Sequence, residues 1–275
     1  MERPKDEPSP DRRSETGPFD IVGDVHGCAS ELEELLRTLG YAVSFAVTNG
    51  VRTVCVTPPP GRRAIFVGDL VDRGPRSPDV LRIAMQMVED GTAFCVPGNH
   101  DAKFRRWLDG KQVKPTHGLD RTIQQIEAEP SGFKPRVSAF IASLPSHLWL
   151  DHGKLAVAHA GLKDTMLGRS SGEVRSFCLY GETSGEADEF GLPVRYHWAA
   201  EYRGATSIVY GHTPVPEPDW VNNTLCIDTG CCFGGKLSAL RWPEKEIVSV
   251  PALTTYTEPV RAFGHPPVRP GAFAE

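Results

Sequence analysis

The sequence predicts an α/β fold in which the ends of several strands carry reactive side chains. Over residues 1–100, short apolar runs alternate with amphipathic helical stretches in the order β-α-β-β-β-α-β. Five apolar runs along the chain end next to a glycine and an Asp, Asn or His. Because α/β folds bind their ligands beyond the carboxyl ends of strands, we expect the chemistry of this protein to lie there.

The elements follow from local patterns. The first strand is predicted at Phe19 to Val22, and the stretch SELEELLRTLG after it has helical spacing of its apolar residues. Asn49-Gly50 lies between two runs of β-forming residues, which predicts a hairpin turn. The run RAIFVGD predicts the next strand, and Ser77-Pro78 begins a helix that runs to Gly91, since proline is favoured in a first helical turn.

The rest of the chain divides into three parts. Residues 101–143 are mostly helical by composition and period, and we interpret them as an insertion. Further strands are predicted in LAVAHAG, TSIVYGH, TLCIDTG, KLSALRW and EIVSVPA. We therefore expect a domain over residues 18–251, a polar disordered tail or linker over 1–17, and a Pro- and Gly-rich tail or linker over 252–275.

Composition limits the function classes. Of 275 residues, 40% are hydrophobic and 24% charged, and the net charge is −5, so no overall basic field points to nucleic acid. The seven cysteines include no CxxC pair, which favours free thiols in a reducing cytoplasm. No apolar stretch reaches membrane-spanning length and the first residues lack a secretory signal, so we expect a cytoplasmic protein without a membrane partner.

Five motifs carry the candidate functional residues, each beside a glycine that gives the backbone room for a close approach. They are GDVHG with Asp24 and His26, GDLVDRG with Asp69, Asp72 and Arg73, GNHD with Asn99 and His100, HAG with His159, and GHT with His212. Charged side chains at the end of a buried strand are costly unless they are paired or bind an ion. Asp, Asn and His together suit Mn, Fe, Zn or Ni better than Ca or Mg.

The ligand types and spacings predict two divalent transition-metal ions, with Mn²⁺ as our first choice. The expected ligands are Asp24 and His26 for one ion, Asp69 as a bridge, and Asn99, His159 and His212 for the other. Two ions about 3.5–4 Å apart would clamp a phosphoryl group and activate water. His159 and His212 could instead be core histidines, but the glycines that follow or precede them favour ligands.

Three further residues are expected to act on the substrate. His100 would protonate the leaving group, and Asp72 would orient its imidazole. Arg73 would bind phosphate oxygens through its planar guanidinium, although an ion pair with Asp69 or Asp72 is the alternative. Asp101 is interpreted as the N-cap of a helix.

Taken together and in this order, the motifs resemble those of the binuclear metallophosphoesterase superfamily, which includes calcineurin. They are most similar to its phosphoprotein-phosphatase and diadenosine-tetraphosphatase branch. The resemblance spans about residues 19–252. It implies two mixed β-sheets flanked by helices, with two metal ions at the sheet edge, and metal-dependent hydrolysis of phosphoesters.

A finer resemblance concerns residues 108–130 and 211–252, which look like the phosphatase module of bacterial polynucleotide kinase-phosphatase-ligase repair enzymes. It implies hydrolysis of a phosphate or 2′,3′-cyclic phosphate at RNA or DNA ends, with kinase and ligase modules as partners. The alternative is a bis(5′-nucleosyl)-tetraphosphatase. A protein phosphatase is disfavoured because Asp101 stands where those enzymes usually have Glu, and a non-catalytic binding module because every expected ligand is present.

Overall fold

The computed structural model describes residues 8–48 and 51–268. In those ranges it has seven α-helices and fourteen strands. The helices are α1 Ala29–Thr38, α2 Ser77–Glu89, α3 Asn99–Leu108, α4 Leu119–Glu127, α5 Phe133–Ala142, α6 Gly172–Tyr180 and α7 Trp198–Glu201. The strands are β1 Phe19–Val22, β2 Ala42–Thr48, β3 Val51–Thr57, β4 Arg63–Phe66, β5 Ala93–Cys95, β6 His147–Leu150, β7 Leu155–Ala158, β8 Glu182–Ala187, β9 Pro193–Tyr196, β10 Ser207–Tyr210, β11 Trp220–Val221, β12 Thr224–Cys226, β13 Lys236–Trp242 and β14 Glu246–Pro251.

Two five-stranded mixed sheets form the centre of the molecule. The first has the order β14-β13-β1-β4-β5 and the second β11-β12-β10-β7-β6. In the first sheet β1, β4 and β5 are parallel, and in the second β7, β10 and β12 are parallel. The predicted architecture of mixed sheets flanked by helices is confirmed.

Two separate hairpins, β2-β3 and β8-β9, complete the strands. The predicted hairpin turn at Asn49-Gly50 lies outside the described residues, but β2 and β3 pair antiparallel on either side of it. The β8-β9 hairpin escapes the sequence analysis because its first strand, ETSGEA, is polar and mostly exposed. Such a strand lacks the apolar alternation by which half-buried strands are recognised.

Alternating side chains of the two sheets fill three apolar layers. The layer between the sheets includes Ile21, Ile65, Val157 and Val209, none of which is exposed to solvent. Helices α1 to α5 pack on the outer face of the first sheet, and α6 and α7 on that of the second. This four-layer packing fixes the two sheets against each other and thereby fixes the relative positions of their edges.

The predicted helical insertion corresponds to α3, α4 and α5. Its first helix begins at Asn99, two residues before the predicted boundary, so two candidate site residues lie in the first turn of α3. Asp101 accepts hydrogen bonds from the backbone N–H groups of Gly98 and Leu70, at 2.9 and 3.0 Å. The N-cap of α3 is Gly98, so the predicted position of Asp101 is wrong, but its side chain caps the helix from the third helical residue. It also ties the helix to the loop after β4.

The terminal segments differ from the predicted tails. Around Asp11 the chain forms a parallel bridge with Trp149, and Glu15 pairs with Arg63 at 2.8 Å. At the other end, the Tyr256 hydroxyl donates to Glu31 at 2.8 Å. Parts of the segments predicted as tails or linkers, residues 8–17 and 252–268, therefore contact the domain. Their fixed positions arise from pairing partners distant in the sequence, which local composition does not reveal.

All seven cysteines lie in the described ranges, and each is a free thiol. Six of them are buried and Cys55 is exposed, which agrees with the prediction that no disulfide framework is present. None of the helices described combines the length and the apolar character needed to span a lipid bilayer.

Candidate metal centre

The candidate residues meet where the carboxyl ends of the parallel strands of both sheets face the same side of the molecule. Each follows a strand by a few residues. The placements are Asp24 and His26 after β1, Asp69 after β4, Asn99 after β5, His159 after β7 and His212 after β10. All six predicted ligands are thus brought to one edge.

Two groups of side chains there have the spacing of metal ligands. One consists of His26, Asp69 and His100, the other of Asp69, His159 and His212, and within each group the candidate ligand atoms lie within 4.8 Å of one another. Asp69 belongs to both groups, as expected of a residue that bridges two ions. His100, predicted as an acid, lies within the first group.

Asp24 and Asn99 are close to the second group. Asp24 Oδ2 accepts a hydrogen bond from the backbone N–H of His212 at 3.0 Å and lies 3.9 Å from His159 Nδ1. Asn99 Oδ1 lies 3.0 Å from His159 Nε2, and the same nitrogen lies 3.0 Å from His212 Nδ1. Asp24 is therefore associated with His159 and His212 as well as with the loop that it shares with His26.

Two unsatisfied atoms show that this edge can hold a cation. Within the described part of the chain, Asp24 Oδ1 and His212 Nε2 are buried and have no hydrogen-bond partner. Buried polar atoms are rarely left unsatisfied in folded proteins, because each costs about 1–3 kcal/mol. A carboxylate oxygen and an imidazole nitrogen are both good ligands for a divalent transition metal, so the residues fit such an ion.

Backbone carbonyl groups orient two of the imidazoles, those of His26 and His159, for metal binding. His26 Nδ1 lies 2.9 Å from the carbonyl oxygen of Val71, and His159 Nδ1 lies 3.1 Å from that of Val67. These bonds place the proton on Nδ1 and leave Nε2 available as a ligand. Burial lowers the pKa of both imidazoles, and the neutral form is the one that binds metal.

Glycines make room for the carboxylates. A Cβ atom on Gly98 would lie 2.0 Å from Asp69 Oδ1, and one on Gly211 would lie 1.8 Å from Asp24 Oδ1. Neither position can carry a side chain without displacing a candidate ligand. The glycines of the GNH and GHT motifs are therefore required by close packing rather than by a turn.

Several site residues have left-handed backbone conformations. Asp69, Asp72, Arg73 and His212 have φ angles of 48°, 75°, 67° and 73°. A non-glycine residue with positive φ carries strain of about 1–3 kcal/mol, which persists only where the surrounding structure enforces it. Here that conformation turns the side chains at the strand ends toward the shared edge.

His100 and Asp72 form a buried hydrogen-bonded pair. His100 Nδ1 lies 2.6 Å from Asp72 Oδ2, and the hydroxyl of Thr122 donates to Asp72 Oδ1 at 2.8 Å. Burial raises the pKa of Asp72 to about 7 and lowers that of His100 to about 3, so the apolar surroundings disfavour charge on both groups. The predicted orienting contact is present, and the insertion supplies Thr122 to it.

Arg73 points into the site. Its two terminal nitrogens lie next to His26 Nε2 and, at 3.1 Å, His100 Nε2, and its guanidinium lies 4.9 Å from the centre of the Phe233 ring. The alternative ion pairs with Asp69 and Asp72 do not form: within the described residues, neither carboxylate is within 4.0 Å of Arg73. The guanidinium is thus available to an anion.

Asp228 is a candidate site residue that the sequence analysis missed. It follows β12, which is parallel to β10, and it is 4% exposed. Burial raises its pKa to about 7, and its charge in turn raises the pKa of Asp24, after the larger effect of burial there. The motif CIDTG has the same form as the other strand ends, so this position could have been found.

A cavity of about 230 Å³ opens beside the two ligand groups. Three arginines line it, together with an apolar wall and His117. The arginines are Arg73, Arg195 and Arg261, and the wall includes Pro214, Phe233, Pro259, Val260 and Phe263. Much of this wall belongs to the segment predicted as a tail.

Comparison with known families agrees with this geometry. The model of the calcineurin-like phosphoesterase family matches residues 17–216. The chain belongs to this family. It is a metal-dependent phosphoester hydrolase, which the resemblance of its motifs had implied, and its metal ions are divalent.

Two named relatives are similar over nearly their whole length. The chain is 45% identical to the asymmetrical bis(5′-nucleosyl)-tetraphosphatase PrpE of Anoxybacillus flavithermus over 250 residues, which are 89% of this chain and 99% of that protein. It is 42% identical to PrpE of Geobacillus sp., again over 250 residues with the same coverage.

Solved structures show the same fold. A crystal structure of a candidate diadenosine tetraphosphatase has a TM-score of 0.62 and 26% identity, covering 89% of this chain and 97% of that one. A protein serine/threonine phosphatase from Saccharomyces cerevisiae has a TM-score of 0.54 and 15% identity, and the match covers 96% of this chain and 86% of that one. At this identity the likeness concerns the fold alone.

Proposed function

We propose that this phosphoesterase hydrolyses bis(5′-nucleosyl) tetraphosphates asymmetrically. The observation that carries the proposal is the cavity, which joins three arginines and an apolar wall to the edge that holds the candidate ligands. Arginine guanidiniums can donate hydrogen bonds to a chain of phosphates, and an aromatic and aliphatic wall can pack against a nucleoside. The names of the relatives support the alternative of our sequence analysis over its first choice, the processing of polynucleotide ends.

For the metal centre we propose two ions, with Mn²⁺ as the first candidate. Asp69 would bridge them, His26 would serve one, and Asn99, His159 and His212 the other, with Asp24 able to contribute to either. When bound, the ions would polarise the phosphoryl oxygens and supply a water molecule of lowered pKa. The charge of Asp228 raises the pKa of Asp24, after the larger effect of burial, and would reinforce the negative potential that attracts the cations.

The chain's own residues orient the phosphate and move a proton. The Arg73 guanidinium would bind two phosphate oxygens in place of the imidazole nitrogens that it now faces. An anionic phosphate next to His100 Nε2 would raise the pKa of that imidazole, because a nearby negative charge favours the protonated form. His100 would then donate its Nε2 proton to the leaving oxygen, while Asp72 holds Nδ1.

The processing of RNA or DNA ends remains the second candidate. Two basic side chains of the insertion are engaged within the protein: Lys103 donates to the Thr116 carbonyl, and Arg121 donates to the carbonyls of Arg73 and Tyr256. These bonds hold the two cations against the protein, so neither supports contact with a nucleic acid. Kinase and ligase modules as partners stay a prediction of the sequence resemblance.

The test is hydrolysis by the metal-stripped protein after Mn²⁺ is returned, with three substrates compared: diadenosine tetraphosphate, RNA with a 2′,3′-cyclic phosphate end, and a phosphopeptide. We expect the highest kcat/KM for the dinucleotide, with ATP and AMP as products. A higher kcat/KM for the RNA end would reject the proposal in favour of the second candidate. Production of two ADP molecules would contradict the asymmetrical cleavage.

The metal assignment has its own test. Asp69→Ala should abolish hydrolysis of p-nitrophenyl phosphate and reduce the number of Mn²⁺ ions bound in titration calorimetry, because one carboxylate serves both ligand groups. Asp90→Ala, at the exposed end of α2, is the matched control. It should leave both the hydrolysis rate and the number of bound Mn²⁺ ions unchanged. Two Mn²⁺ ions bound to Asp69→Ala with wild-type affinity would exclude the bridging role.

A further inference from the structure

A third group of side chains with metal-ligand spacing lies outside the catalytic metal centre. It consists of Cys28, Glu31 and Cys231, whose candidate ligand atoms lie within 4.8 Å of one another. All three residues are buried, with 0%, 2% and 1% of their surfaces exposed. None of them has a part in the proposed hydrolysis, so the fold brings two thiols and a carboxylate together for another reason.

The three residues come from two distant parts of the chain. Cys28 is the N-cap of α1, two residues after His26, and Glu31 lies in the first turn of the same helix. Cys231 belongs to the loop between β12 and β13, three residues after Asp228. The group therefore lies between two of the loops that carry residues of the catalytic metal centre.

The carboxylate of Glu31 is held in place but only half satisfied. Its Oε1 atom accepts hydrogen bonds from the Tyr256 hydroxyl at 2.8 Å and from the backbone N–H of Leu253 at 3.0 Å. Its Oε2 atom is buried and has no hydrogen-bond partner among the described residues. A buried oxygen without a partner is destabilising, and a cation beside the thiols would remove that cost.

The two thiols have only weak partners. Cys28 contacts the Cys231 thiol and, at 3.6 Å, the carbonyl oxygen of His26. Sulfur is a weak donor and acceptor, so an ion can replace these contacts at little cost. Cys232 is also buried, but its thiol contacts Arg73 and does not belong to the group.

The donor set selects the kind of metal. Thiolates favour Zn²⁺, Cu⁺ and iron–sulfur clusters, and the addition of a carboxylate oxygen favours Zn²⁺ among these. Two sulfurs bound to one tetrahedral Zn²⁺ at about 2.3 Å are about 3.8 Å apart. The observed spacing of the group, within 4.8 Å, is compatible with that distance. The two ligand groups of the catalytic centre contain no sulfur, so their metal chemistry differs.

We propose that Cys28, Cys231 and Glu31 bind a zinc ion that is separate from the catalytic metal ions. Each thiol would release its proton to solvent on binding, and a water molecule would occupy the fourth position. The ion would join the start of α1 to the loop after β12, and Glu31 would connect it to Tyr256. Its role is to fix these loops in the folded chain, and it takes no part in hydrolysis.

The experiment uses Co²⁺, which replaces Zn²⁺ and gives a charge-transfer band in the near ultraviolet when thiolates bind it. Because the site is buried, the full chain is produced in cells grown with Co²⁺ in place of Zn²⁺, so that the ion is present during folding. We expect this band in the wild-type protein. Asp, Asn and His ligands cannot produce it, and its absence would overturn the proposal even if a cysteine variant fails to fold.

Variants locate the ion. Cys28→Ser and Cys231→Ser should each lose the band or at least half of its intensity, because the intensity follows the number of bound thiolates. Glu31→Gln should keep the band but lose Co²⁺ to a chelator faster than the wild type does. Cys55→Ser, which removes the exposed thiol on β3, is the matched control and should match the wild type.

Asp69→Ala separates the two metal sites. It removes a carboxylate of the catalytic centre, so the charge-transfer band should persist in this variant. Loss of the band in Asp69→Ala, or an unchanged band in both Cys28→Ser and Cys231→Ser, would overturn the assignment. The spectra are recorded without substrate, so the result holds whether or not the protein hydrolyses diadenosine tetraphosphate.

Discussion

At the scale of single residues, the two nitrogens of His100 face different surroundings. Nδ1 lies against the buried carboxyl of Asp72, which the Thr122 hydroxyl also contacts, and Nε2 faces the cavity beside Arg73. The first contact fixes the orientation of the ring, and the second exposes the nitrogen that could exchange a proton with substrate. This division is the one that a general acid requires.

Replacement of His100 by Ala tests that role. We expect the loss in kcat to be about 10²- to 10⁴-fold for phenyl phosphate, whose leaving group needs a proton, and much smaller for p-nitrophenyl phosphate, whose leaving group does not. Steady-state kinetics on the pair of substrates measures the difference within one variant. Equal losses on the two esters would indicate that His100 acts on the metal ligands or the fold instead.

At the scale of elements, the segment that follows β14, residues 252–268, packs on the catalytic domain. The Phe263 ring lies 5.9 Å from that of Phe233, and the backbone N–H of Gly264 donates to the carbonyl of Pro214 at 3.1 Å. His265 stacks on His197 at 4.3 Å. These contacts hold the segment across the cavity, so it shapes the space next to the metal edge.

Phe263→Ala should therefore weaken binding of the dinucleotide. A base stacked on an aromatic side chain gains about 1–3 kcal/mol, so we expect KM for diadenosine tetraphosphate to rise roughly 10-fold. Phe190→Ala is the control, since that ring is 52% exposed and does not line the cavity. An unchanged KM in Phe263→Ala would show that the nucleoside lies elsewhere.

At the scale of the whole molecule, a charged cluster connects parts that are distant in sequence. Asp79 on α2 accepts hydrogen bonds from Arg52 of the β2-β3 hairpin and from Arg76. Arg82 of the same helix contacts both Asp79 and Glu129, which follows α4. The hairpin, α2 and the insertion are thus joined at one carboxylate on the outer side of the first sheet.

Asp79→Asn should lower the free energy of unfolding at pH 7 by about 1–3 kcal/mol. Burial acts to raise the pKa of Asp79, but the hydrogen bonds from Arg52 and Arg76 outweigh it and keep the pKa below its ordinary value of 3.8. The stabilisation is thus present above pH 3.8 and is lost as the pH falls through the lower, folded-state pKa.

Urea denaturation of the metal-free protein at a series of pH values measures this effect. The difference between Asp79→Asn and the wild type should shrink as the pH falls below 3.8. Asp90→Asn, exposed at the end of α2, should show no comparable difference at any pH. A difference for Asp79→Asn that stays constant across the acid range would exclude the ionised carboxylate as its source.

The sequence by itself predicted most strands of the two central sheets and the six candidate ligands at their ends, because each of these motifs lies within a few consecutive residues. Glycine beside Asp69, Asn99 or His212 follows from a steric need within a few residues, and an apolar run of four residues suffices to recognise a buried strand. The resemblance of these motifs to those of known phosphoesterases then indicated the family.

Only the tertiary structure decided what surrounds the ligands. Arg195 is placed by a polar hairpin, and Phe263 by contacts with residues some 30 to 50 positions away along the chain. Neither lies in a pattern of apolar periodicity, so the sequence offers no local signal for them. The shape of the cavity, and with it the choice among phosphoesters, depends on such long-range packing.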